Sequence, residues 1–136
     1  MSSFSNYTEN GVLNHLFKAV NFPSPSLYMG LFQSDAGLES NEIASAAEVV
    51  DASSYARVNI NDFGGFSTSV AGQTSNTQDL DFNVALTDWG TVTHTAILDA
   101  ATGGNVIAWG PLTNPRTLYA GDALKVRAGA CVISLS

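Results

Sequence analysis

Polar and apolar side chains alternate on both sides of a glycine-rich turn in residues 88–112, DWGTVTHTAILDAATGGNVIAWGPL. Thr91, Thr93, Thr95 and Ile97 fall on one face, and Val92, His94, Ala96 and Leu98 on the other. Successive side chains of a strand point to opposite faces, so a period of two flanking a turn at 100–105 predicts a β-hairpin. A different period opens the chain. Val12, Leu13, Leu16, Phe17 and Val20 line up as one helical stripe, which predicts a helix over 5–20 with Ser5 as its N-cap. Glu9 near its start and Lys18 near its end carry the signs that a helix dipole favours. Pro23 and Pro25 stop it, because a residue before proline avoids the helical region.

Short strand patterns fill the rest. Residues 27–33 carry apolar groups on both faces, the mark of a central strand. Further alternation appears at 55–61, at Leu80, Phe82 and Val84, and in two closing runs, 123–127 and 130–135, with Gly129 as the hairpin turn between them. Small polar and acidic residues predict a long surface loop over 34–54, within which 43–50 fits either a helical turn or a strand. Residues 64–76 read as a second, mobile loop, 111–115 as a proline connection, and Ala120-Gly121-Asp122 as a turn. Seven or so short strands separated by turns predict a mainly β chain, an antiparallel β-sandwich or jelly-roll-like barrel in one domain spanning 1–136. The helical stripe is expected to cover one end or an open edge of it.

Composition narrows the function. Hydrophobic residues make up 45% of the chain, enough for a core, while only 12% are charged, about half the usual share. A surface of Ser, Thr, Asn and Gly is better suited to an assembly than to a concentrated free monomer. The net charge of −7, with Lys18, Arg57, Arg116, Lys125 and Arg127 scattered singly, argues against nucleic acid and against anionic membranes. No apolar run is long enough to span a bilayer, and MSSFSNYTEN has neither the basic region nor the apolar core of a signal peptide.

Candidate chemistry is sparse. Cys131 sits in an alternating apolar run and is expected to be a buried structural thiol. His15 and His94 are the only histidines, too few with one cysteine for a zinc site, and no Gly-x-Ser-x-Gly turn singles out a nucleophile. Asp79 and Asp81 share a strand face and could hold calcium, but no loop spaces them for it; Asp88 and Asp99 flank the next strand. Trp89 and Trp109 are expected as core or subunit-contact anchors; exposed in a groove, they would mark a glycan-binding module. The Asn6-Tyr7-Thr8 acceptor motif reads as a chance match, and Gly103-Gly104 as a turn with no phosphate role.

Several stretches, taken in order, resemble small virion proteins of tailed bacteriophages, often labelled tail-fibre-like: SNYTENGVLNHLF, LYMGLFQSD, YARV, the 88–112 hairpin and AGDALKVRAGACVISL. The resemblance implies a virion structural component, assembled in the bacterial cytoplasm, without catalytic residues or cofactors. Two roles are open. A capsid decoration (cement) protein bound to the major capsid shell is preferred, because no repetitive stalk is present; a tail or tail-fibre component, with or without host-glycan binding, is the alternative. The low charge predicts self-association, with a trimer as the expected state. Leu13, Phe17, Phe63, Phe66 and Tyr119 are the expected subunit-contact residues, and the N-terminal helix and 64–76 the expected contact elements.

Overall fold

The computed structural model describes residues 3–135. Strand β1 (Ser3–Phe4) precedes helix α1 (Asn6–Lys18), and β2 (Tyr28–Phe32), β3 (Val58–Asn59), β4 (Gln73–Ser75) and β5 (Leu80–Asp81) follow. The predicted hairpin is β6 (Gly90–Leu98) and β7 (Val106–Leu118), after which β8 (Lys125–Val126) and β9 (Val132–Ser134) close the chain. All pairings are antiparallel: a five-stranded sheet in the order β1-β7-β6-β2-β3, and two ribbons, β4-β9 and β5-β8. The chain is mainly β, and the sheet does not close into a barrel.

β2 is central, as its two-faced apolar pattern predicts, lying between β6 and β3. Met29 and Leu31 enter the main core beside Val92 and Ile97, together with Leu80, Phe82, Trp89 and Leu124. Phe32, on the opposite face, joins Ala96, Leu98 and Val106 in a second core that Leu38 covers. The 34–54 loop is therefore the lid of that face, where Ile43 and Ala46 also pack. Each large side chain so buried contributes about 1.5–3 kcal/mol. Within 43–50, both readings hold in part: Ile43–Ser45 is one 3₁₀ turn, and Glu48 makes an isolated bridge to Phe32.

β7 runs straight through the expected proline connection. Val92 pairs with Arg116 and His94 with Pro111, so residues 112–115 stand opposite Thr93 alone. Prolines supply no amide to a ladder, and the strand swells into a wide bulge there before pairing resumes. Beyond Trp109 the outer edge of β7 pairs with no strand among the described residues. A second irregularity makes Ile107 the extra residue between the Leu98–Val106 and Ile97–Ala108 pairs. Its carbonyl accepts the Ser5 N–H at 3.2 Å and the Thr8 hydroxyl at 2.7 Å, which anchors the start of the helix.

The closing segment departs from expectation. Gly129 does not turn a hairpin, because β8 pairs with β5 and β9 with β4. Buried Asn76 separates the two strands: its amide donates to the Gln78 and Arg127 carbonyls and its oxygen accepts the Cys131 N–H at 2.9 Å. The Gly129 N–H donates to the Asn76 carbonyl at 2.8 Å. Nor is 64–76 simply a loop, since β4 lies in it. Val70 and Gln73 exchange backbone hydrogen bonds around Ala71 and Gly72, at φ 54° and 77°. Two positive φ angles in a two-residue loop favour Asn-Gly, and alanine is disfavoured there by about 1–2 kcal/mol. Ala71→Asn is expected to raise stability by about 1 kcal/mol, read as a higher urea midpoint with an unchanged slope. The 55–61 pattern shrinks to β3 followed by a 3₁₀ turn, Ile60–Phe63. Val84 lies outside β5 and is exposed.

Helix α1 forms where expected, with the Ser5 hydroxyl accepting the Thr8 N–H at 3.3 Å and left-handed Ala19 ending it. Its stripe does not cover the sheet. Leu13, Leu16, Phe17 and Val20 are 54%, 66%, 79% and 55% exposed. Only the first turn is docked, through Ser5 and Thr8, so the rest of the helix stands off the body. The chain then returns beside it: Phe22 rests on Gly11 and Tyr7, and its N–H donates to His15 Nδ1 at 3.3 Å. A side chain at residue 11 would collide with the Phe22 ring, which accounts for a glycine inside the helix.

Candidate functional site

Three of the five expected contact residues lie at the surface. Leu13 and Phe17 share the exposed stripe of α1, and Tyr119, just past β7, is 59% exposed. Phe63 and Phe66 do not belong with them. Both are half-buried and pack against the main core, because the 3₁₀ turn at Ile60–Phe63 and the Phe66–Asn76 bridge turn them inward.

More exposed apolar side chains lie on the loops at the end of the hairpin that carries Tyr119. Val50, Val84 and Leu86 are all exposed, and hydrogen bonds knit their loops together. The Leu86 N–H donates to Ser54 Oγ at 3.0 Å, the Asn83 amide to the Ser54 carbonyl at 3.1 Å, and the Gly121 N–H to the Ala85 carbonyl at 2.7 Å. Small Ala85 is the buried residue, so the larger Val84 and Leu86 on either side of it face outward. That inversion of the usual pattern was the available signal: two large apolar residues flanking an alanine.

Beneath the patch, Asp51 organises the loops. Its carboxylate accepts from Ser53 Oγ at 2.7 Å, the Ser54 hydroxyl, Thr87 Oγ1 at 3.0 Å and the Trp89 indole N–H at 3.0 Å. The Ser53 bond most of all, then those from Ser54 and Trp89, hold this carboxyl well below the ordinary carboxylate range. A carboxyl depressed in the fold stabilises it above the unfolded pKa, about 3.9, and that contribution is lost as pH falls below this value. Asp51→Asn is expected to be less stable than the native chain at neutral pH. The gap between the two should narrow in urea titrations repeated below about pH 4.

A second network locks the other end of the hairpin. Arg57, its side chain 3% exposed, grips Glu48 with two bonds of 2.8 Å and donates to the carbonyls of Ala100 and Gly103 at 2.7 and 2.9 Å. Tyr55 donates to the same carboxylate at 2.6 Å while its oxygen accepts the Leu31 N–H. Burial, reinforced by the Glu48 charge, pushes the Tyr55 phenol far above its usual range. Burial opposes the Arg57 charge, but Glu48 more than offsets it and the net shift is upward. Gly30 makes room for the network, since a Cβ there would lie 2.9 Å from Glu48 Oε2.

A cleft of about 370 Å³ lies between the swollen part of β7 and the 123–133 segment, with Leu112, Leu124 and Ile133 among its walls. Arg116, Lys125 and Arg127, three of the chain's five cations, line it. Lys125 stands 3.7 and 3.6 Å from Asp79 and Asp81, so an ammonium already faces the two carboxylates considered for calcium. Among the described residues no cluster of three or more His, Cys, Asp or Glu could hold a metal. Asp88 and Asp99 accept backbone N–H bonds from Ala120 and Asn105. Trp89 is a core residue, 3% exposed, and half-buried Trp109 commits its indole N–H to Glu39 at 2.8 Å, so the pair forms no open aromatic groove. His94 bonds to Thr93 and lies against the Trp109 ring. Half-buried Cys131 packs on the main core, and burial pushes its thiol up to about 11, which keeps it protonated at neutral pH.

Side-chain networks that close loops, a standing helix and exposed apolar side chains define a mainly β, antiparallel protein. The family model described as Gp80, podophage GP4 fiber I protein gp80, matches residues 3–134, and the chain belongs to that family. The resemblance carried by the 88–112 hairpin and the flanking motifs is borne out, and membership places the chain among tailed-phage virion structural proteins. No curated protein matches it. No helix among the described residues is long and apolar enough to cross a membrane.

Proposed function

We propose that this chain is a non-enzymatic fibre subunit of a podophage virion, which self-associates, as a trimer, and binds neighbouring particle proteins. The observation that carries this reading is the match over 3–134 to a family described as a fibre protein. The exposed α1 stripe supports it, since large apolar groups gathered on one surface mark an interaction site. Capsid decoration is the second reading, favoured by the lack of internal repetition within residues 1–136. Cryo-EM of phage particles labelled with antibody fragments against this chain separates the two. Density at the tail or collar is the expected result, and density across the head shell would establish decoration instead.

A further inference from the structure

We infer that the apolar stripe of α1 docks onto the patch of Val50, Val84, Leu86 and Tyr119 on a second copy of the chain. The inference rests on the self-association proposed above and specifies its geometry. Both surfaces offer four large apolar side chains, each more than half exposed, with Val20 just past the end of the helix. They sit at opposite ends of the hairpin: α1 is tied to Ile107, next to the turn, whereas the patch surrounds the far ends of β6 and β7. β6 has nine residues and so separates those ends by roughly 30 Å, while the 13-residue helix spans only about 20 Å. The stripe of one copy therefore falls short of its own patch.

Charge selects the pairing. Lys18 lies in the last turn of the helix, beside the stripe. The loops of the patch carry Asp51, Asp88 and Asp122, and residues 50–54, 83–88 and 119–122 contain no Lys or Arg. Patch against patch would confront carboxylates with carboxylates in a chain of net charge −7. Stripe against patch buries apolar groups on both sides and brings opposite charges together. Such a contact joins two different surfaces, so it closes into a ring, a trimer included, or runs on as a filament.

The test uses two variants of the whole chain, Leu16→Asp/Phe17→Asp and Leu86→Asp/Tyr119→Asp, followed by sedimentation velocity. All four side chains are exposed, and unchanged urea midpoints verify that folding is intact. Each variant alone is expected to be monomeric while the native chain is oligomeric. Mixed one to one, they should form a heterodimer, because each retains the surface that the other lacks. A patch variant that keeps the native size, or a mixture that stays monomeric, overturns the inference in favour of helix-to-helix or other contacts and leaves self-association standing. A native chain that is monomeric at high micromolar concentration overturns both.

Discussion

Arg57→Ala is expected to destabilise the fold by about 3–5 kcal/mol, the loss typical when one member of a buried ion pair is removed. Among the described residues Arg57 is the one cation paired with Glu48, and it also takes up two carbonyls of the hairpin turn. Without it, the part-buried Glu48 side chain loses both guanidinium bonds and retains, among the described residues, the Tyr55 hydroxyl. Urea unfolding at neutral pH measures the loss directly. Arg57→Lys should recover only part of it, because an ammonium does not reproduce the paired bonds to Glu48 while also spanning Ala100 and Gly103. A change below about 1 kcal/mol for Arg57→Ala would show that the clamp is solvated like a surface pair.

Trp89→Ala should cost a similar amount, about 3–5 kcal/mol, for a different reason: a large cavity opens in the main core. The Trp89 ring meets Tyr55 edge-on at 5.4 Å and its N–H binds Asp51, so the substitution also loosens the loops that carry the Tyr119 patch. Trp89→Phe separates the two contributions. It keeps most of the ring volume and loses the hydrogen bond to Asp51, so a smaller loss than that of Trp89→Ala is expected. The same urea titrations resolve the pair of variants.

What could be read in the sequence depended on how many residues shared one environment. The 88–112 hairpin was legible because β6 faces two cores at once and alternates for nine residues. β5 and β8 are two residues each, too short to carry a period, and their pairing is set by distant side chains such as Asn76. Residues 111–115 read as a connection because prolines supply no ladder amides, yet β7 spans them and pairing resumes at Arg116 and Thr117. Amphipathicity located α1 and its stripe, yet a stripe shows only that a face needs covering, and not which molecule covers it. Phe63 and Phe66 looked exposed because glycine and serine surround them; one 3₁₀ turn reverses that. The Glu48–Arg57 clamp left no local trace, since its room comes from Gly30 on another strand.

The proline swelling of β7 has a bearing on crowding. Bare sheet borders template runaway stacking wherever many copies are held close together. Pro111 and Pro115 supply no amides to β7, whose outer edge beyond Trp109 pairs with no strand among the described residues, so a stray strand finds no continuous row of donors there. Neighbours can then meet through side chains alone, and contacts of that kind come apart without entangling the backbones.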